Sequence, residues 1–258
     1  MLDHGLAGEL LKHAGGLAME HFRKVTPSLK QDKTLVTEAD LAVQAYLTGK
    51  FAERFPSVGL VAEEDDLRKA PTEGETYFVI DPIDGTASFV SGLPVWGIAV
   101  GVVDRLQPVA GYFYMPVTGD FFYTTADGCV YRNDARVPAV EPQTVHRRES
   151  VLLTVSRFHR KYRVNDGYPG KIRSLGSTIA HLCYAATGSA DAALVSGVCI
   201  WDLAAGLAMA ALNGAVAQYL DGEPFVLDDA LLGGQAIRSP VLVGHARAVE
   251  EYRQIIHA

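Results

Sequence analysis

Apolar positions near the start of the chain fall at Leu6, Leu10, Ala14, Leu17, Ala18 and Phe22, the three- and four-residue steps of an amphipathic helix. After Pro27 the polar run 28–33 reads as a charged loop. A second helical stripe, Leu41, Leu47, Phe51 and Phe55, follows Thr37 and Asp40, whose spacing is that of a capping box with a shorter acidic arm. From there the pattern shortens. Residues 59–62 and 77–80 are unbroken apolar runs of strand length, while 95–103, 108–115 and 121–125 are rich in Val and aromatics and predict an antiparallel meander. Residues 128–137 predict a hairpin that turns at Asn133-Asp134. The polar stretch 138–148, with Pro138 and Pro142, is the expected boundary between two lobes, 1–142 and 143–258. Past it, strands are expected at 151–155 and 190–195. A helix through Ile179, Leu182, Cys183 and Ala186 separates them, and an Ala/Gly-rich helix opens at Trp201-Asp202.

Composition narrows the functional classes. At 258 residues, 48% hydrophobic and 21% charged, the chain has room for a core and lacks the composition of a disordered segment. A formal charge of -7 argues against binding a nucleic-acid polymer or an anionic membrane, so an anionic ligand would need local help, such as a metal cluster. Cys129, Cys183 and Cys199 are far apart with no CxxC pair, which reads as thiols of a reducing compartment. No stretch approaches the ~18 apolar residues of a membrane span. Asp3, His4 and Glu9 precede any sustained apolar run, and a soluble cytoplasmic protein is the expectation. The eight histidines show no ligand spacing, and none is assigned to metal.

The chemistry gathers where apolar runs end in acids. The run 77–80 delivers Asp81 and Asp84, separated by Pro82 and Ile83, and then Gly85 and Thr86. Pro82 fixes its own φ and keeps Asp81 out of helical geometry, so the strand is expected to stop at Asp81 and both acids to sit on a stiff turn facing one ion. Asp-Pro and Asp-Gly are also ordinary turn formers, and a plain turn stays open. The run 59–62 ends on Glu63 and Glu64, followed by Asp65 and Asp66, either a solvated acidic loop or ligands held together by a cation. Asp40 can be a cap and nothing more. Asp202, in the expected first turn of its helix, can be a dipole-stabilised cap or a ligand. Arg157, Arg160 and Lys161 form a basic cluster after a strand end, either a solvated loop or a contact for an anionic substrate.

The string Asp81-Pro82-Ile83-Asp84-Gly85-Thr86 resembles the signature of the inositol monophosphatase superfamily, Mg²⁺-dependent phosphatases that include fructose-1,6-bisphosphatases and nucleotide phosphatases. Val36-Thr37-x-x-Asp40, Glu63-Glu64, Arg173-Ser174-x-Gly176-Ser177 and Trp201-Asp202 extend the resemblance, which reaches Pro224-Phe225. Departures are Ser88 where most relatives have Asn, Asn133-Asp134 where many have Asn-Gly, and Leu212-Asn213-Gly214-Ala215 where Glu-Ala-Gly-Gly is usual. The resemblance implies a mixed α/β protein, an α+β lobe followed by an α/β lobe in a layered αβαβα sandwich, commonly a homodimer. It implies Mg²⁺, two or three ions: Glu63, Asp81 and the Ile83 carbonyl on the first, Asp81, Asp84 and Asp202 on the second, and Glu63 with Glu64 near a weaker third. A metal-activated water would be the nucleophile, deprotonated with help from Thr86 tied to Asp40. The phosphate would rest on Gly85 and Thr86, and Asp84, Gly176, Ser177, Val195 and Asp202 would border the substrate. Hydrolysis of such esters can require acceleration near ~10²¹-fold, whereas one acid-base side chain gives about 10² to 10⁴. Clustered cations are the physically sensible means. The implied activity is hydrolysis of a small phosphorylated metabolite. A specialist for fructose-1,6-bisphosphate, histidinol phosphate or a 3'-phosphonucleotide, or a non-catalytic binding protein of the same fold, are the alternatives.

Overall fold

The computed structural model describes residues 2–29, 35–64, 75–142 and 144–257. The stretch 30–33 and the acidic pair Asp65 and Asp66 lie outside the described residues. The two apolar stripes form α1 (His4–His21) and α2 (Glu38–Arg54). Between them, Ser28–Leu29 (β1) and Leu35–Val36 (β2) pair antiparallel, so the expected loop begins with a short strand. Seven strands then form one sheet: β3 (Gly59–Ala62), β4 (Thr76–Asp84), β5 (Gly97–Asp104), β6 (Gln107–Met115), β7 (Asp120–Thr124), β8 (Val130–Arg132) and β9 (Ala135–Arg136), in that spatial order. A short helix, α3 (Thr86–Ser91), sits between β4 and β5. Only β3 and β4 pair parallel; the rest make the antiparallel meander. The β8–β9 hairpin turns on Asn133-Asp134, with Asn133 at φ 54 giving the left-handed backbone a two-residue turn needs.

The remaining chain runs β10 (Val151–Thr154), α4 (Phe158–Lys161), β11 (Arg163–Val164), β12 (Lys171–Arg173), α5 (Thr178–Ala186), β13 (Ala192–Val195), α6 (Ala204–Leu212), β14 (Val216–Tyr219), α7 (Asp229–Leu232), β15 (Val241–Gly244), α8 (Ala246–Ile255) and β16 (Ile256–His257). Five of these strands form a second sheet, ordered β12-β10-β13-β15-β14, in which β10 is parallel to both β12 and β13. β11 pairs with β16 apart from it.

Side-chain burial sets the layers. Leu10, Leu11, Val43, Leu47 and Phe51 of α1 and α2 pack on Phe78, Ile80 and Val100 of the first sheet. α6 lies on β5 and β6 from the other face and against α5, which packs on β13 and β15. Val249 and Tyr252 of α8 cover Leu152, Leu194 and Leu242 on the far side of the second sheet. The order is therefore αβαβα, the expected layered sandwich. A Cβ on Gly111 would lie 2.1 Å from the Ala205 carbonyl oxygen, so glycine in β6 is what admits α6 to this distance.

The structure corrects the expected end of β4. β4 does not stop at Asp81 but continues through Pro82 to Asp84. Asp81 pairs with Ala99 and Asp84 with Gly97, three steps on β4 against two on β5, which is a β-bulge. A bulge tolerates a residue with no ladder donor, so Pro82 bends the strand instead of ending it.

Candidate active site

Parallel pairing of β3 with β4 brings two strand ends to one edge. Ala62 is in register with Ile80, and the next residues are Glu63 and Asp81. The Glu63 N–H donates to the Ile80 carbonyl at 3.2 Å, fixing that corner. The bulge then presents Asp84. The loop that leaves β13 supplies Asp202, whose Oδ2 accepts from the Cys199 N–H at 2.8 Å. Asp202 thus ties its own turn, and α6 begins later, at Ala204, which replaces the expectation of an acid inside the first helical turn. The physical reason is the tight turn in which Leu203 and Ala204 both donate to the Ile200 carbonyl. Carboxylate oxygens of Asp81, Asp84 and Asp202 all lie within 4.8 Å of one another.

Asp84 also joins the two sheets. Its carboxylate accepts from the Ser177 hydroxyl, from the Thr178 N–H at 3.1 Å and from the Ile179 N–H at 2.8 Å, so it sits on the first turn of α5. An anion there is favoured by the free N–H groups and the helix dipole. The backbone contacts from Thr178 and Ile179 have no sequence signature, since they depend on two segments meeting in space.

Burial and mutual repulsion dominate the electrostatics. Asp81 is pushed well above the usual carboxylate range, first by burial and then by the charges of Glu63, Asp84 and Asp202. Asp202, only partly buried, is raised to about 8 by desolvation and by Asp84 and Glu63. Asp84 stands at about 6, because burial outweighs its three hydrogen bonds. Asp81 Oδ1 is buried without a hydrogen-bond partner. Among the described residues, no Lys, Arg or His forms an ion pair with Asp81, Asp84 or Asp202. Like charges this close are costly unless a cation lies between them, and an all-oxygen donor set suits a hard divalent ion such as Mg²⁺. The residues fit such an ion.

Asp40 begins beside this cluster. The capping box forms as expected: Asp40 Oδ2 accepts from the Thr37 N–H at 2.7 Å and from the Thr37 hydroxyl at 2.6 Å. The Thr86 hydroxyl lies 3.4 Å from Asp40 Oδ1 and 3.1 Å from the Ile83 carbonyl, donating toward both. Asp40 is therefore a cap and a neighbour of Thr86 at once. Burial, opposed by the bonds from Thr37, raises it to about 6. Gln44, which no motif singled out, accepts from the Glu64 N–H at 2.8 Å and holds the end of β3 to α2.

Gly85 and Gly176, at φ 91 and φ 97, let the turn after β4 touch the segment before α5: a Cβ on Gly85 would stand 2.9 Å from the Gly176 carbonyl oxygen. Ser177 is fully buried with its hydroxyl donated to Asp84, and Val195 is fully buried in the core between the sheets. Arg157, Arg160 and Lys161 are exposed on and beside α4.

Comparison with known proteins agrees with this geometry. The inositol monophosphatase family matches residues 5–254. The chain is 28% identical over 232 residues to inositol-1-monophosphatase ImpA of Mycolicibacterium smegmatis, covering 86% of this chain and 83% of that one. It is 28% identical over 215 residues to a histidinol-phosphatase of Chlorobaculum parvum, covering 79% and 80%. Among solved structures, Thermotoga maritima IMPase superposes with a TM-score of 0.80 at 25% identity, covering 95% of this chain and 93% of that chain.

Proposed function

The chain belongs to the inositol monophosphatase family, whose members are phosphatases that hydrolyse phosphate monoesters, and we propose that it does so on small phosphorylated metabolites with Mg²⁺. In this reading Glu63, Asp81, Asp84, Asp202 and the Ile83 carbonyl hold two ions, and Glu64 stands near a third. The observation that carries it is the trio of Asp81, Asp84 and Asp202, mutually within 4.8 Å, with one buried Asp81 oxygen lacking any partner. When bound, the cations offset the charge on the transferring phosphoryl group and lower the pKa of water.

The chain's own residues supply the remaining steps. Thr86 gives its hydroxyl proton toward Asp40 and Ile83, which leaves its oxygen free to accept from the attacking water and so to orient it. Asp40, raised to about 6, can hold a proton passed through that hydroxyl. Gly85 and Thr86 open α3, and the first N–H groups of a helix have no intrahelical acceptor, which suits a phosphate oxygen. Gly176 brings the second lobe against Gly85, and with Asp84 and Asp202 it borders the ester's alcohol.

Chelation is the direct test. EDTA should abolish phosphate release from the purified chain and Mg²⁺ should restore it; hydrolysis that persists in chelator refutes the metal reading. A two-lobe division near 138–148, a homodimer and a cytoplasmic setting complete the proposal. The lobes are supported by the separate sheets at 59–136 and 151–244, and the reducing setting by three cysteines that form no disulfide. Sedimentation at the mass of one 27.8 kDa chain would remove the homodimer.

A further inference from the structure

Between β12 and α5 the backbone of Gly176 is exposed, at φ 97, and lies against the turn that follows β4. A Cβ on Gly176 would run into the Ser88 hydroxyl, and its carbonyl oxygen packs on Gly85. Glycine restrains its own backbone little, so the placement of this contact depends on what holds the residues on either side. One residue of α5 holds both. The Leu175 N–H donates to His181 Nε2 at 2.9 Å, and the His181 N–H donates to the Ser177 carbonyl at 3.2 Å. The ring and the backbone of His181 thus close on the two neighbours of Gly176, and the second of them, Ser177, gives its hydroxyl to Asp84.

The cost of this arrangement shows that packing alone does not account for a histidine here. His181 is 2% exposed, and its Nδ1 is buried without a hydrogen-bond partner among the described residues. Because Nε2 accepts, the ring proton sits on Nδ1, and the fold keeps a buried N–H that nothing completes. An unsatisfied buried donor costs at least as much as one neutral hydrogen bond returns, so an apolar side chain of similar bulk would fill the space with less penalty. What such a side chain lacks is an acceptor for Leu175. Desolvation lowers the ring to about 4, so near neutral pH the Nε2 lone pair stays available.

We propose that His181 is a positioning residue for the reaction: by accepting from Leu175 it fixes Gly176 against Gly85, and so fixes where the Gly85-Thr86 turn and the 174–176 segment meet the bound ester. The inference rests on the phosphatase reading above and adds to it a residue that touches neither substrate nor cation. His181 acts through a neutral nitrogen on a backbone N–H six residues back, which is why ligand spacing among the histidines carries no trace of it. The three donors to Asp84 come from Ser177, Thr178 and Ile179, on the far side of Gly176 from Leu175, so the acid cluster keeps its support when the ring contact is lost. The effect therefore falls on how well the ester is held.

The test uses the full chain with Mg²⁺ and inositol 1-phosphate, and two substitutions that separate acceptor from bulk. His181→Leu keeps bulk and removes the acceptor; it should raise KM about tenfold, the worth of one hydrogen bond, with kcat within about twofold of wild type. His181→Gln retains an acceptor oxygen and should recover most of that KM. A wild-type KM in His181→Leu, or a Gln variant no better than the Leu variant, overturns the positioning role and leaves the phosphatase reading intact. A measurement on the wild type keeps the proposal decidable if the Leu variant does not fold: the ¹⁵N shifts of the His181 ring at pH 7 should show the proton on Nδ1, and a proton on Nε2 overturns the contact with Leu175. No Mg²⁺-dependent phosphate release by the wild type overturns the phosphatase reading and this role with it.

Discussion

Without a cation, the protein should be least stable where its acids are most ionised, and Mg²⁺ should reverse that. Asp84 and Asp202 stand at about 6 and about 8, and Asp81 well above the ordinary range, all raised first by burial. In the unfolded chain an Asp titrates near ~3.9. Folded values above unfolded ones mean that the unfolded chain releases these protons first as pH rises. The contribution of these acids is therefore fully present below about pH 4 and is lost as pH climbs through their folded values, to about 8. The loss is on the order of several kcal/mol, comparable with the 5–15 kcal/mol that holds a typical domain together. A cation among the three carboxylates restores it. At a hundred times its Kd, Mg²⁺ adds about 2.7 kcal/mol, which for a chain of this size is roughly 5–10 °C in Tm.

Thermal unfolding in EDTA and in saturating Mg²⁺, at pH 8 and at pH 5, measures this directly. The Mg²⁺ increment should appear at pH 8 and shrink at pH 5, where protons compete for the same oxygens. Asp202→Asn should raise the EDTA melting temperature at pH 8, by removing one of the repelling charges, and lose most of the Mg²⁺ increment. An increment as large at pH 5 as at pH 8, or none at pH 8, refutes the reasoning.

Asp40→Asn and Thr86→Ala should each lower kcat strongly, and the double variant should be little worse than either, since groups acting as a unit are non-additive; fully additive losses would mean that they act separately. His181 is buried, accepts from the Leu175 N–H through Nε2, and is lowered to about 4 by desolvation. Its contribution to stability is full above about 6.5 and is lost as pH falls toward 4, reaching about 3 kcal/mol below both values. Urea unfolding at pH 7 and pH 5 should show this component in the wild type and not in His181→Gln. Gly111→Ala drives a methyl into the Ala205 carbonyl and should destabilise by about 1–3 kcal/mol; an unchanged Tm would refute the close packing of β6 on α6.

What the sequence made legible, and what it hid, divides by range along the chain. α1 and α2 could be read because their stripes and the Thr37 and Asp40 cap are local patterns, complete within a few turns. The acids could be read for a related reason: an apolar run that ends in carboxylates fixes where those carboxylates are delivered, whatever the run packs against. The path of β4 through Pro82 could not, because a bulge is defined by the partner strand, and β5 lies beyond an intervening helix. The burial of Val195 in the core could not be read either, because it depends on how the two sheets pack. Ser177 stood out by motif, yet its hydroxyl serves a carboxylate 93 residues away.

That last contact explains why one short string organises the whole molecule. Asp84 belongs at once to the acid cluster of the first sheet and to the first turn of α5, which packs on the second. A carboxylate needed for its charge would ordinarily be left half-solvated, where repulsion from Asp81 and Asp202 is weakened by water. Here its three donors from α5 favour the ionised form while burial opposes it, and the balance leaves it at about 6. Docking of α5 thus supplies donors that keep a cluster acid usable, and the acid supplies an anion that α5 would otherwise lack. Each side is incomplete without the other, so the contact of α5 with β4 and the acid cluster are one structural element, and a change in one is transmitted to the other through a single carboxylate.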